Sequence, residues 1–229
     1  MRVLIIAPHP DDEMIGAGGT LALHADAHDH IIIAHLTDGE RGSRDPDAAH
    51  TSATRQSEAV QAAAAIGVAV GQVQFLHLPD GGINPYDTTQ FAAVLTLLRA
   101  ERPDLLYLPH PHDGAFDHEA ASALCWRAAT MSGSSNFGDC GPAHWVPTVL
   151  GYEVWQPITA PPYHRDVSAV LPRKLAALAC YHSQSAAVKG HGQSQQAGPG
   201  GTLLSAWRGA TTTGGHREAF AVLRLGGLP

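Results

Sequence analysis

Residues 2–13 of the chain read RVLIIAPHPDDE, an apolar run that ends in two prolines, a histidine and three acids. The apolar part has the composition of a parallel strand that is buried on both faces. His9, Asp11, Asp12 and Glu13 follow it directly, at the end of the strand where open α/β sheets bind their ligands. Because the two prolines stiffen the turn, it can hold metal ligands in register. The stretch therefore predicts a metal or catalytic site.

The three acids also have a purely structural interpretation. Helix starts favour acidic side chains, so Asp11, Asp12 and Glu13 suit the N-cap and first turn of a helix. This role explains the acids, but it does not explain a histidine between two prolines.

The composition of the chain limits its function and location. Its 229 residues suit one α/β domain spanning residues 1–229. A formal net charge of -7 without a basic stripe argues against nucleic acid and anionic membranes as partners. We find no signal-peptide core and no membrane-spanning apolar run, and the three widely spaced cysteines suit a reducing compartment. We therefore expect a cytoplasmic protein.

Apolar runs with strand character alternate with segments of helical periodicity. Predicted strands cover residues 3–7, 31–36, 73–78, 105–108 and 149–155, and predicted helices cover residues 14–24, 52–66, 88–101, 118–131 and 172–182. This alternation predicts an α/β, Rossmann-like three-layer fold with a mostly parallel central sheet. We expect Gly16, Gly18 and Gly19 to let the first helix pack closely on that sheet.

Two segments interrupt the alternation. Residues 132–147 have the composition of a loop, and residues 183–216 contain the Gly-, Gln- and Ser-rich stretch AVKGHGQSQQAGPGGT. A long loop inside a compact domain is usually functional or mobile. We expect a mobile loop around residues 185–202 that covers the site or lines an oligomer contact.

A second cluster of polar residues follows the strand at 105–108, and it comprises His110, His112, Asp113, Asp117, His118 and Glu119. If the two strands are neighbours, His9, Asp12 and His118 meet in one crevice. Three protein ligands plus water are typical of a catalytic zinc site, and Asp11 would then be free to take a proton from water. As alternatives, Asp113 or Asp117 caps the next helix, and His110 and His112 are exposed loop residues.

The signature PHPDDE resembles that of the zinc-dependent deacetylases called the PIG-L or LmbE-like family. Further stretches are similar to family motifs in chain order: TDGERG at 37–42, Arg55 with Glu58 and AIG at 65–67, LPDG at 78–81, DH at 117–118, YEVW at 152–155, Lys174 with HSQ at 182–184, and EAF at 218–220. Each motif is short, but their common order makes the resemblance specific.

The resemblance implies roles for individual residues. It implies Zn²⁺ ligands at His9, Asp12 and His118 and a general base at Asp11. Arg55 and Asp80 match positions that contact hydroxyls or other polar groups of the substrate, which in this family is an N-acetylated amino sugar or its conjugate. The products are acetate and a free amine. Fe²⁺, Co²⁺ and Mn²⁺ also suit a site with two histidines and an aspartate, and the family habit favours a homo-oligomer.

The chain departs from the family pattern at one position. The family often has a histidine three residues before its last zinc ligand, where it helps to stabilise the oxyanion, and this chain has Ala115. His112, His110 or His182 could take that role from elsewhere, or the activity is reduced or altered; we expect His112 or His110, since Gly114 lets the loop fold back over the metal. The alternative is a non-catalytic protein that binds zinc or sugar.

Overall fold

Seven strands form one sheet in the computed structural model, which describes residues 1–42, 47–186 and 197–226. In chain order they are β1 (Arg2–Ala7), β2 (His30–Thr37), β3 (Val73–Leu78), β4 (Leu105–Pro109), β5 (Thr148–Tyr152), β6 (Tyr163–Asp166) and β7 (Arg217–Arg224). Their spatial order is β3-β2-β1-β4-β5-β7-β6. The first five strands pair in parallel, whereas β7 runs antiparallel to β5 and β6. The predicted mostly parallel sheet is confirmed.

Helices cover both faces of the sheet. They are α1 (Asp12–Asp26), α2 (Ala48–Ala65), α3 (Thr88–Glu101), α4 (Phe116–Met131), α5 (Leu171–Ala179), α6 (His182–Ala186) and α7 (Ala197–Ala210). Because successive side chains of a strand point to opposite faces, Val3 and Ile5 pack with α1, α2 and α5, while Leu4 and Ile6 pack with α3 and α4. The three-layer prediction is confirmed. No helix among the described residues has the length and apolar character that a bilayer crossing needs.

The glycines of α1 lie at close contacts with neighbouring elements. A side chain at Gly16 would overlap the backbone oxygen of Glu153, and one at Gly19 would overlap the side chain of Val167. At Gly18 an added Cβ would meet its neighbours only at ordinary contact distances. The prediction that glycines allow close packing of this helix is confirmed for Gly16 and Gly19.

Two helices occupy both ends of the stretch around residues 185–202 that was expected to be a mobile loop: α6 ends at Ala186 and α7 begins at Ala197. In the C-terminal part of α7 the buried positions are Gly201, Ser205, Arg208 and Gly209, whereas Leu203 and Trp207 are exposed. The buried face therefore consists of small and polar residues, so an apolar pattern cannot reveal it. Residues 187–196, the centre of the predicted mobile loop, lie outside the described part of the chain.

The strand order places a switch point beside β1. The chain runs from β1 outward to β2 and β3, and then returns to the other side of β1 with β4. Because the connections on the two sides of a switch point leave in opposite directions, a crevice opens at the carboxyl ends of β1 and β4. The turn after β1 and the loop after β4 meet at this crevice.

Candidate metal centre

Three side chains converge at the carboxyl ends of β1 and β4. His9 and Asp12 come from the junction of β1 and α1, and His118 from the first turn of α4. His9 Nδ1 and His118 Nε2 each lie 3.2 Å from the same oxygen of Asp12, Oδ2. Asp12 and His118 are buried and His9 is partly exposed. The structure thus brings together the three residues that the sequence predicts as metal ligands.

The donor set fits a divalent metal ion. Two imidazole nitrogens and one carboxylate oxygen are ligands of zinc, with bond lengths of roughly 2.0–2.2 Å. Ligand atoms around a tetrahedral centre are then about 3.3–3.6 Å apart, close to the observed 3.2 Å separations. A second group of three candidate ligands among the described residues, His9, Asp80 and Asp117, shares the His9 ring but is less buried. The more buried group, with both imidazoles, is the better match.

Carboxylates lie close to the outer nitrogens of both rings. Asp113 Oδ2 lies 2.7 Å from His118 Nδ1. Asp80 Oδ1 and Asp117 Oδ2 each lie 3.3 Å from His9 Nε2. A carboxylate behind a metal-binding imidazole fixes the tautomer and the orientation of the ring. These contacts aim the other nitrogen of each ring at Asp12.

The charges in this cluster shift the pKa values of its members. Burial alone would raise the pKa of Asp12, but the neighbouring His118 and His9 outweigh it and hold that pKa well below its ordinary range. Burial opposes the charge of His118 as well, yet Asp12 and Asp113 raise the pKa of His118 to about 10. The cluster therefore favours a positive charge among its carboxylates, which a divalent cation would also supply.

Asp11 contacts Arg55 rather than the two imidazoles. Its Oδ1 accepts a hydrogen bond from Arg55 Nη2 at 3.4 Å. Its backbone has a φ of 130° and a ψ of -29°, and such a conformation costs a residue with a side chain about 1–3 kcal/mol. Burial raises the pKa of Asp11 to about 7, although Arg55 opposes this shift. A carboxyl group with a pKa near neutrality suits the exchange of protons with a substrate.

Arg55 is tied to the backbone around Asp11. Its Nη2 donates to the Pro10 carbonyl at 2.6 Å, and its Nη1 donates to the Gly39 carbonyl at 3.1 Å. A side chain at Gly39 or Gly42 would overlap the guanidinium. The TDGERG stretch therefore encloses Arg55, which braces the turn that carries Asp11.

Asp80 connects His9 to the loop after β2. Besides its contact with His9, its Oδ2 accepts the Arg41 N–H at 2.8 Å, and its own N–H donates to Glu40 Oε1 at 2.9 Å. Both Arg55 and Asp80 line the cleft over the cluster. Their predicted contacts with substrate stay predictions.

The cleft over the cluster also contains residues for which the sequence predicts no role. The Trp155 ring lies 6.4 Å from the His118 ring, and Gln184 Nε2 donates to the Gly42 carbonyl at 3.3 Å. The cleft is lined by His9, Asp11, Asp12, Arg41, Gly42, Arg55, Asp80, Ala115, Asp117, His118, Trp155 and Gln184. Trp155 and Gln184 stand in stretches that resemble family motifs, which was the only sequence signal for them.

Asp113 does not cap α4, the alternative role considered for it, because the N-cap residue of that helix is Ala115 and no side chain caps it. While Oδ2 faces His118, its Oδ1 accepts the backbone N–H groups of Val154, Trp155 and Gln156 at 3.2, 2.9 and 3.3 Å. One buried carboxylate thus orients a candidate ligand and fixes the backbone that follows β5.

A protein-family model described as PIG-L: GlcNAc-PI de-N-acetylase matches residues 4–129, more than half of the chain. This chain belongs to the PIG-L family. The matched region includes every residue of the cluster, of its carboxylate supports and of the turn that carries Asp11. The family resemblance seen in the sequence is confirmed.

Similarity extends to named relatives. The chain is 31% identical over 192 residues to the diacetylchitobiose deacetylase of Thermococcus kodakarensis, covering 80% of this chain and 70% of that protein. It is 25% identical over 194 residues to the 4-oxalmesaconate hydratase of Pseudomonas putida, covering 79% and 73%. A solved structure of a conserved protein from Thermus thermophilus superposes with a TM-score of 0.82 at 27% identity, covering 100% of this chain and 97% of that one.

The family histidine position is occupied by Ala115, which lines the cleft. His110 is buried, its Nε2 donates to the Gln156 carbonyl at 2.6 Å, and its Nδ1 accepts the His112 N–H at 3.3 Å. His112 is exposed. Neither ring is among the residues lining the cleft, so the structure does not bring His110 or His112 to the position expected for an oxyanion role.

Proposed function

We propose that this chain is a metal-dependent hydrolase that removes the N-acetyl group from an amino sugar or amino-sugar conjugate, releasing acetate and a free amine. One observation carries the proposal: the buried carboxyl of Asp11, with a pKa of about 7, adjoins the cluster of His9, Asp12 and His118. Amide hydrolysis requires both an activated carbonyl and a base for water. The family model and the diacetylchitobiose deacetylase support an N-acetylated amino sugar as the substrate class.

We propose Zn²⁺ as the ion held by His9, Asp12 and His118, with one ion per chain. When bound, it would polarise the amide carbonyl and make water more acidic. Two imidazoles and a carboxylate also suit Fe²⁺, Co²⁺ or Mn²⁺, so metal analysis of the purified protein is part of the test.

Asp11 moves the proton in this proposal. Its carboxylate accepts a proton from the attacking water and then gives that proton to the nitrogen of the breaking C–N bond. A pKa of about 7 makes both transfers accessible near neutral pH. Arg55, 3.4 Å from Asp11 Oδ1, stabilises the ionised carboxylate before the first transfer.

Arg55 and Asp80 are the proposed contacts for substrate hydroxyls, since both line the cleft. For the oxyanion, His112 is the stronger candidate of the two predicted histidines, because His110 is already bonded to the Gln156 carbonyl. The exposed segment at Gly114, with a φ of 78°, is the hinge about which His112 would approach a bound substrate.

Further expectations accompany this proposal. We propose a single domain over residues 1–229, a cytoplasmic location and a homo-oligomeric assembly. Neither nucleic acid nor a membrane surface is a proposed partner.

The deciding experiment combines metal analysis with an assay of acetate release. Purified protein loaded with Zn²⁺ is incubated with N-acetylglucosamine, N,N′-diacetylchitobiose and glucosaminyl-inositol conjugates bearing an N-acetyl group. Acetate should appear in equimolar amounts with free amine. Metal-replete Asp11→Asn should lose most of this turnover and keep its zinc, while His118→Ala should bind less metal per chain.

Other outcomes separate the competing functions. Saturable sugar binding without acetate release would indicate the non-catalytic alternative. Hydration of 4-oxalmesaconate without deacetylation would assign the chain to the chemistry of its Pseudomonas putida relative. Either result would refute the proposed deacetylase.

A further inference from the structure

Glu13 is the third acid of the PHPDDE stretch, and the proposed mechanism gives it no task. Its side chain is fully buried, and a buried carboxylate is costly unless it is hydrogen-bonded. The Tyr181 hydroxyl donates to Oε1. His35 Nε2 lies 3.1 Å from Oε2, and the backbone N–H of Asp11 donates to the same oxygen at 3.2 Å. Glu13 therefore links three parts of the fold at a point next to the proposed base.

The partners of Glu13 are themselves fixed. His35 lies on β2 and Tyr181 between α5 and α6, and both are fully buried. The His35 ring stacks on Phe75 with centroids 5.0 Å apart. Because a side chain in a packed interior has little rotamer freedom, these neighbours set the direction of the Glu13 carboxylate.

Asp11 needs such an anchor because of its backbone conformation. Its φ of 130° is rare for a residue with a Cβ, and such conformations persist only where the surroundings impose them. The Asp11 carbonyl accepts the N–H groups of Met14 and Ile15 at 3.0 Å each. Because Glu13 accepts the N–H of Asp11 and the helix binds its carbonyl, the peptide groups on both sides of Asp11 are fixed.

We propose that Glu13 is a positioning residue, held by His35 and Tyr181, that keeps Asp11 in this conformation and so aims its carboxylate at the reacting atoms. The inference rests on the proposed function, in which Asp11 moves the proton. No proton passes through Glu13. Without this anchor Asp11 relaxes to a common backbone conformation and its carboxylate turns away, while the neighbouring ligand Asp12 keeps its place.

A double-mutant cycle with Asp11 tests the inference. Glu13→Gln keeps one acceptor oxygen, which is too few for three donors, so kcat should fall at least about tenfold with KM changed by less than about twofold. Metal content should stay at the wild-type value. In the Asp11→Asn background, whose residual turnover is measured with enzyme in excess, Glu13→Gln should cause no further loss, because residues that act as a unit are not additive.

Tyr181→Phe is a milder variant in case Glu13→Gln folds poorly. It removes one donor from Glu13 and should lower kcat about threefold to tenfold with the same lack of additivity. Tyr107→Phe is the matched control, since it also removes a buried tyrosine hydroxyl, one that lies 3.0 Å from His24 Nε2 and outside the site. Its kcat should equal that of the wild type.

Crystal structures of the variants give a readout that does not depend on turnover. The inference requires the φ of Asp11 to leave the positive region in Glu13→Gln with His9 and Asp12 in place. An unchanged φ, an unchanged kcat, or losses that multiply with Asp11→Asn would each overturn it. Failure of the proposed function looks different: wild-type protein would then release no acetate, and the φ of Asp11 would still decide whether Glu13 anchors it.

Discussion

His118 Nδ1 lies 2.7 Å from Asp113 Oδ2, and the carboxylate that makes this contact is fully enclosed by the protein. The other nitrogen of the same ring faces Asp12. The orientation of one proposed metal ligand therefore depends on a residue that never reaches the metal.

We expect Asp113→Asn to weaken metal binding about 10- to 100-fold, because loss of a carboxylate behind a ligating imidazole has effects of that size. The measurement is competition for Zn²⁺ against a chelator of known affinity. Glu119→Gln is the matched control: this acid is exposed on α4, where it accepts the Gly114 N–H at 3.1 Å. Equal affinities of the Asp113 variant and the control would contradict the prediction.

The backbone of Asp11 gives a prediction about stability. At ordinary positions alanine is more stable than glycine by about 0.4–1 kcal/mol, since glycine has more freedom in the unfolded chain. At a φ of 130° the order should reverse, with Asp11→Gly more stable than Asp11→Ala by about 1 kcal/mol. Urea denaturation of both variants measures the difference. A more stable alanine variant would show that this conformation stores no strain.

The buried ion pair of Lys174 and Glu218 should contribute strongly to folding. Lys174 Nζ lies 2.6 Å from Glu218 Oε1, and the same carboxylate accepts the N–H groups of Gly19 and Thr20. Lys174→Met leaves the acid buried without its cation, so the free energy of unfolding should fall by about 3–5 kcal/mol.

A more exposed pair provides the comparison for Lys174. Arg217 lies 3.2 Å from Asp166, whose side chain is 53% exposed, and exposed pairs contribute about 0–1 kcal/mol. Arg217→Ala should therefore shift the denaturation midpoint far less than Lys174→Met. Similar losses in the two variants would rule out a special contribution of the buried pair.

His24 should make the stability of the protein depend on pH. Burial lowers the pKa of His24, although Asp29, 2.7 Å from its Nδ1, opposes the shift. A histidine with a lowered pKa binds its proton more readily when unfolded. Its contribution to stability is therefore complete above the unfolded pKa of about 6.5 and is lost as the pH falls below that value.

Comparison of wild type with His24→Asn isolates this contribution from those of the other histidines. The free energy of unfolding, measured at pH 7.5 and again at pH 5.5, should fall more in the wild type than in the variant. The same decrease in both proteins would show that His24 does not contribute to the pH dependence.

The sequence predicted the parts of the molecule whose signals are local. About twelve residues are enough to recognise each of three parts: the N-terminal strand, the turn that follows it and the start of α4. The order of the parallel strands brings these parts together. For this reason the sequence alone was enough to predict His9, Asp12 and His118 as site residues. The predicted helices were also found, because their apolar faces contribute to the cores on the two sides of the sheet, although the helix predicted at 172–182 ends at Ala179.

The rest depends on contacts between distant parts of the chain. Glu13 and Tyr181 are 168 residues apart in the chain. Asp113, which follows β4, accepts the backbone N–H of Val154, which follows the neighbouring strand β5. No periodicity marks such pairs. The strand β6 is short and only partly buried, and β7 adds an antiparallel pairing that helix and strand alternation does not predict.

The double use of Asp113 limits how this protein can change. One oxygen of its carboxylate aims His118, while the other holds the main chain at Trp155, which lines the cleft. A substitution at Trp155 that reshapes the cleft for a different substrate also shifts the main chain that Asp113 binds. It therefore disturbs the carboxylate that orients His118. We therefore expect new specificity acquired at Trp155 to change metal affinity, so that variants selected on different substrates differ in the concentration of metal ion they require.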